Sequence, residues 1–347
     1  MKSNHKYLFS RKVIAYLLVA LAWCNQSNAF ELGVGTHFHT YDKNVDYYLS
    51  LIKDYGFTSF RDDYSWSKVE RYKNKYAIYG NLLATDNAFE HAHKYGLNGL
   101  MVLDYGNKLY EGGGYPVSQE AVNAFANYAA WSAARFKGKV KYFEVWNEWS
   151  NATSMSRFKN SIPSEKAYFN LVKTTALAIK KVNPEAIILA GSFNPISDPQ
   201  KPRKPTQTDW FLSLVSLGIM NYIDGISIHP YSYKNSQLWL RTPEGNISQV
   251  DVFQSAVKEK TGKILPIYIT EIGLTNYTGE GGVSEEYAGE FVKKYMSLAK
   301  SRKYIKGVWW YDLIDDGENP SINENRFGIF DRSLAPKKSA LYFLQNK

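Results

Sequence analysis

The chain has 347 residues, 44% hydrophobic and 16% aromatic, which suits one large α/β domain with a full core or two small domains. Its single cysteine, Cys24, lies near the N-terminus, so disulfides, thiol nucleophiles and thiolate metal sites are excluded from everything after it. The net charge of +9 is scattered, with one tight cluster (Lys201, Arg203 and Lys204 among prolines) that reads as a solvated loop, and nucleic acid is not an expected partner.

Residues 1–29 stand apart from the rest. Lys2, Lys6, Arg11 and Lys12 make a positive start, residues 13–23 are an unbroken apolar run, and Ser27-Asn28-Ala29 offers small residues to a signal peptidase. The run is too short to span a bilayer comfortably. Trp23 stands where a lipoprotein signal needs a small residue before Cys24. Cleavage after Ala29 is therefore expected, with a mature domain of residues 30–347 in the periplasm or outside a bacterial cell and no membrane attachment. The cleavage would take four of the 42 basic residues and none of the 33 acidic ones, leaving about +5.

From residue 30 onward strand and helix patterns alternate. Buried-type strands are predicted at 31–38, 57–62, 99–105, 140–148, 186–193, 223–231, 267–271 and 307–313. Apolar residues at helical spacing fall at 46–55, 81–95, 119–136, 165–182, 210–217, 249–261, 284–302 and 339–344, with Ser118, Ser164 and Ser284 as candidate N-caps. Eight such pairs point to a single (β/α)8 TIM barrel with enlarged strand-to-helix loops. A doubly wound sheet is the runner-up, but Gly112-Gly113-Gly114 does not sit at a strand-to-helix phosphate turn. The long loops carry Tyr110, Tyr115, Tyr233, Trp239 and Tyr277, aromatic faces of the kind sugar rings stack on.

The strand ends carry the chemistry. In a barrel they open on the active-site face. The fourth strand ends in Glu148 and the seventh in Glu271, and two such carboxylates are the minimum equipment for glycoside hydrolysis. Strict alternation places Glu144, Trp146 and Glu148 on one face, and Ile267, Ile269 and Glu271 on another. Other ends present His37 and His39, Arg61 and Asp62, Asp104, His229 and Tyr231, and the Trp309-Trp310 platform before Asp312. Glu144 lies deeper and reads as a buried, paired structural carboxylate. His37 and His39 lack a clear third ligand, and Asp312, Asp315, Asp316 and Glu318 lack an EF-hand spacing, so no metal is expected.

Trp146-Asn147-Glu148 in the fourth strand and Thr270-Glu271 in the seventh resemble the acid/base and nucleophile signatures of glycoside hydrolase clan A. The opening Gly33-Val34-Gly35-Thr36-His37-Phe38, the strand Phe143-Glu144-Val145-Trp146-Asn147-Glu148 and the tail from Trp310-Tyr311-Asp312-Leu313 to Phe327-Gly328-Ile329 are similar to family 39 and related bacterial exopolysaccharide glycosidases. The resemblance implies a retaining β-glycosidase with Glu148 as general acid/base and Glu271 as nucleophile. It also implies that Asn147 holds the sugar 2-hydroxyl, that Arg61, His229 and Tyr231 support the nucleophile, and that Trp310, or Trp309 beside it, floors the −1 subsite. His37, His39 and Asp104 join the expected sugar contacts. Trp149 departs from the pattern, since many relatives have proline there, and this bears on the leaving-group side. The expected partner is a poly- or oligosaccharide, with an exopolysaccharide cut internally as the leading substrate; no cofactor is expected and a monomer suffices. Exo-cleavage of the β-xylosidase type, transglycosylation, or a barrel that binds glycan without cutting it are the alternatives.

Overall fold

The computed structural model describes residues 30–152 and 162–345, so the segment read as a cleaved signal lies outside the described residues. Eight parallel strands, β1 (Glu31–Gly35), β2 (Ser59–Asp63), β3 (Asn98–Leu103), β4 (Val140–Val145), β5 (Ile187–Phe193), β6 (Gly225–Ile228), β7 (Ile267–Ile272) and β8 (Ile305–Trp310), each pair with the next. β1 also pairs with β8, which closes the sheet into a TIM barrel. Each strand is followed by a helix: α1 (Val45–Asp54), α2 (Leu82–His91), α3 (Gln119–Arg135), α4 (Glu165–Val182), α5 (Gln207–Ser216), α6 (Pro243–Thr261), α7 (Glu285–Lys300) and α8 (Lys338–Gln345). Among the described residues no helix is long and apolar enough to cross a membrane.

Local chemistry accounts for most helix starts. The side chains of Ser118 and Ser284 accept the backbone N–H of Ala121 and Tyr287, satisfying donors that the first turn leaves without partners. Ser164 occupies the N-cap position of α4 without making that bond. Helix α6 begins six residues before its apolar period does. Thr242 caps it, Pro243 supplies a preset φ at the first position, and the polar Asn246 faces inward. Asn246 is fully buried because its amide donates to Pro230 O and Ser232 Oγ while its carbonyl accepts from Tyr295 Oη; a polar residue on the core face hides the period from a hydrophobicity reading.

The barrel interior is filled by side chains in layers, as expected of an eight-stranded barrel. Leu100, Val102, Tyr142, Leu189, Tyr268 and Trp309 form the central apolar cluster. Trp309 fits only because β1 has glycine beside it: a Cβ on Gly33 would lie 2.1 Å from the indole. The indole N–H donates to Ser59 Oγ at 3.0 Å. Below this cluster Glu31 accepts from Thr58, Asn98, Lys141 and Tyr142, at 2.8 to 3.0 Å. Above it the interior turns polar with Arg61, Glu144, Ser227 and Thr270, all buried.

Candidate active site

β4 ends at Val145, and the chain then leaves extended geometry. Trp146 and Glu148 have φ of 67° and 46°, and Ser192 across from them on β5 has φ of 39°. Left-handed backbone at residues with a Cβ costs about 1–3 kcal/mol each and persists where the surroundings over-determine it. Here they do: Glu148 N–H donates to Ser192 Oγ, Ser192 Oγ donates to Trp146 O, and Ser192 N–H donates to Ser227 Oγ. The strict alternation expected for 144, 146 and 148 is therefore broken. Glu144 points into the barrel, whereas Trp146 turns away and stacks on Tyr115 with ring centres 5.5 Å apart, next to Phe125 of α3. Glu148 swings back over the barrel mouth, where it lines the cleft.

The alternation fails in β7 as well. Tyr268 and Thr270 face the interior, not Ile267 and Ile269. The pairing of β7 with β8 slips between Ile269 and Ile272, and this irregularity carries Glu271 to the cleft, on the interior side with Thr270 instead of opposite it.

A polar lattice joins the two ends. Arg61 divides its guanidinium among three acceptors: Nε donates to Glu144 at 2.9 Å, Nη1 to Glu271 at 2.6 Å and Nη2 to Asn147 at 3.0 Å. Asn147 Nδ2 donates in turn to Tyr105 Oη, and Tyr231 Oη donates to Glu271 at 3.1 Å. Burial alone would raise the Glu144 pKa, but Arg61 foremost, then His229, outweighs it and holds the carboxyl below its ordinary value. This is the paired structural carboxylate anticipated from its depth.

His229 links the two cleft carboxylates. Its Nδ1 lies 3.1 Å from Glu148 Oε1 and 3.7 Å from Glu271 Oε2, and one oxygen of each carboxylate and this nitrogen all fall within 4.8 Å of one another. The tautomer follows from Thr270. Its single hydroxyl hydrogen goes to Glu144, which can only accept, at 2.8 Å; Thr270 Oγ1 must then accept from His229 Nε2–H at 3.0 Å. Nδ1 is left facing Glu148, so one proton lies between imidazole and carboxyl. Burial pulls the His229 pKa down, yet Glu271 and Glu148 together carry it above the ordinary value.

These groups line a cleft of about 500 Å3. Of the residues singled out from sequence, Arg61, Asn147, Glu148, His229, Tyr231, Glu271 and His37 meet there. Three do not. Trp310 faces the helices, packed against Phe291 of α7 and Phe343 of α8, while its neighbour Trp309 is sealed in the barrel; neither floors the cleft. Interior parity runs through Gly307 and Trp309, which brings Tyr311 to the mouth instead. That parity was readable, since a glycine marks the crowded inward position. Asp104 is fully buried below the cleft, and His39 is half-buried beyond His37, with rings 6.3 Å apart. Of the five loop aromatics, Tyr233 lines the cleft; Tyr110 and Tyr115 are buried beneath it on Trp66 and Trp146, and Trp239 and Tyr277 lie outside. Tyr105, Asp63, Glu324 and Phe327 also line the cleft: the first two stand at or near strand ends, Phe327 lies in the tail motif of the resemblance, and Glu324, in the long loop after β8, carried no signal in sequence.

The family model for cellulase, glycosyl hydrolase family 5, matches residues 25–312. Among solved structures, a family 39 glycoside hydrolase from the gut symbiont Bacteroides cellulosilyticus is similar with a TM-score of 0.73 and 25% identity, over 91% of this chain and 63% of that one. The chain thus spans less than two thirds of that relative's length. Xylanase 10B from Thermotoga petrophila is similar over 99% of both chains, with a TM-score of 0.63 and 15% identity. An exo-β-1,4-mannosidase from an Opitutaceae bacterium has a TM-score of 0.62 and 17% identity, over 91% of this chain and 58% of that one. The last two bear on the fold alone. No curated protein matches in sequence.

Proposed function

The chain belongs to the cellulase family, glycosyl hydrolase family 5, and is a clan A glycoside hydrolase; on that premise we propose that it hydrolyses β-glycosidic bonds with retention of configuration, by way of Glu148 and Glu271. Glu271 attacks the anomeric carbon as the bond to the leaving oxygen breaks, and that oxygen takes the proton held at Glu148. Glu148, now ionised, removes a proton from water, which attacks the same carbon and frees Glu271. Retaining enzymes hold their carboxyls about 5–5.5 Å apart because nothing but the sugar stands between them, whereas inverting ones need room for a water. The observation that carries the reading is that oxygens of Glu148 and Glu271 lie within 4.8 Å of one another.

The surroundings support the division of labour. Arg61 and Tyr231 both donate to Glu271, which fixes its carboxylate at one angle to the cleft. The proton between His229 and Glu148 is where a general acid needs one. Asn147 is anchored by Arg61 and Tyr105 and faces the cleft, suited to a hydroxyl next to the anomeric carbon. The substrate we propose is an exopolysaccharide cut within the chain, with no cofactor, by a monomer whose residues 1–29 direct it out of the cytoplasm. The resemblance of the strand ends to bacterial exopolysaccharide glycosidases favours this substrate.

The test is digestion of a panel of bacterial exopolysaccharides, followed by NMR of the first-formed anomer and by product sizing. β-Product from wild type, oligosaccharides of mixed length and no turnover by Glu271→Gln fit the proposal. Initial α-product discards the nucleophile role, single-sugar release means exo-action, and binding without turnover means a glycan-binding barrel.

A further inference from the structure

We propose that His37, Asp312 and Asp316 form a site for one divalent transition-metal ion, Zn2+ or Mn2+, on the wall of the cleft where β1 meets the loop after β8. His37 follows β1, and the two aspartates follow β8, so the ligands come from the two ends of the chain that close the barrel. His37 Nδ1 lies 2.8 Å from Asp316 Oδ1 and 3.6 Å from Asp312 Oδ2, and the three donor atoms all fall within 4.8 Å of one another. Ligands held roughly 2.0–2.2 Å from a zinc ion sit about 3–3.5 Å from each other. The two separations from His37, 2.8 and 3.6 Å, bracket that edge.

Asp312 is the independent sign of a cation. Its side chain is 1% exposed, it is aimed at His37, and neither of its oxygens accepts a hydrogen bond from the protein. Asp62 backs the same spot: one oxygen accepts from Thr36 and Phe38, the other from nothing in the protein. Asp315, one turn of loop away, shows the ordinary alternative, since Lys337 and Arg326 both reach it. Around His37, by contrast, Asp62, Asp312 and Asp316 face one imidazole. Burying carboxylates with too little compensating charge is costly, and a dication supplies what the protein withholds. One imidazole nitrogen with carboxylate oxygens suits Zn2+ or Mn2+ better than the all-oxygen shells of Ca2+ and Mg2+. The sequence offered no third ligand near His37 and His39; closure of the barrel delivers it from the far end. His37 lines the cleft, so the ion would sit beside the glycan and pin the loop after β8 to β1.

The experiment is calorimetric titration of the EDTA-treated full chain with ZnCl2, MnCl2 and CaCl2, for wild type, H37Q, D312N and D316N. It needs no substrate, so its outcome is independent of the hydrolysis proposed above. One equivalent of Zn2+ or Mn2+ with clear preference over Ca2+, weakened about 10- to 100-fold or more in each variant, is expected. D316N is the variant that keeps the test decisive if D312N fails to fold, because Asp316 is 30% exposed. No saturable binding at millimolar metal, or equal affinity in wild type and D316N, overturns the proposal. Loss of binding in E148Q overturns it too, by moving the ion to the cleft carboxylates.

Discussion

The barrel holds a carboxylate, Glu31, at its N-terminal end and three, Glu144, Glu148 and Glu271, at its C-terminal end, and the two ends are built to opposite rules. At the N-terminal end Glu31 is surrounded by donors of fixed position: Thr58 takes one oxygen, while Asn98, Lys141 and Tyr142 crowd the other. At the C-terminal end three glutamates divide their donors, with fewer for each carboxylate than Glu31 has. Arg61 is shared by Glu144 and Glu271, and His229 stands between Glu148 and Glu271. A carboxylate that is saturated can do nothing but hold the fold. One that shares its donors, and keeps an edge toward a cleft, can change charge or form a bond.

Substitutions separate the two ends. The largest effect is expected from Glu271→Gln, which should lower kcat by about 10⁴-fold or more while leaving the thermal midpoint near that of wild type. Glu148→Gln should lower kcat by about 10²–10⁴-fold on natural glycans and far less on an aryl glycoside whose leaving group needs no proton, as steady-state rates on both substrates would report. Tyr231→Phe removes one bond to a charged group and should cost about 10- to 100-fold in kcat, with KM little changed. Glu31→Gln is the reverse case: a loss of about 1–3 kcal/mol in urea unfolding at unaltered kcat. If Glu31→Gln instead cripples turnover, the division between the two ends is wrong.

The smallest expected effect is a pH dependence. The His229 pKa is raised in the folded chain because Glu271 and Glu148 outweigh burial. A histidine with a raised folded pKa contributes stability that is full below its unfolded value of about 6.5 and is lost as pH climbs through the folded value. The difference in unfolding free energy between wild type and His229→Gln should therefore shrink from pH 6 toward alkaline pH, and a gap that widens would assign the proton elsewhere.

Much of this was legible in the residues. The eight strand–helix periods, a glutamate close to the end of the fourth strand and another close to the end of the seventh, and the depth of Glu144 all follow from local pattern, because burial on one face writes a repeat that can be counted. What could not be counted was direction at the strand ends. Trp310, placed by position in the last strand, faces the helices, and Asp104, polar at a strand end, lies sealed beneath the cleft. Strand parity is a local rule, and it stops where the strand stops.

Sequence alone, through periodicity and composition, determined the barrel, its order of elements and the nearness of Glu148 and Glu271 to strand ends, since each of these is set by residues within a few positions of one another. Which of those groups face the cleft was decided only by the closed structure. Left-handed backbone at Trp146 and Glu148, the slipped pairing that turns Glu271 inward, and the approach of Asp312 and Asp316 to His37 each depend on contacts between segments far apart in the chain. No local pattern encodes such contacts, because the strain is tolerated only where β5 and β6 lie beside the end of β4, and Asp312 and Asp316 reach His37 only once the last strand has met the first.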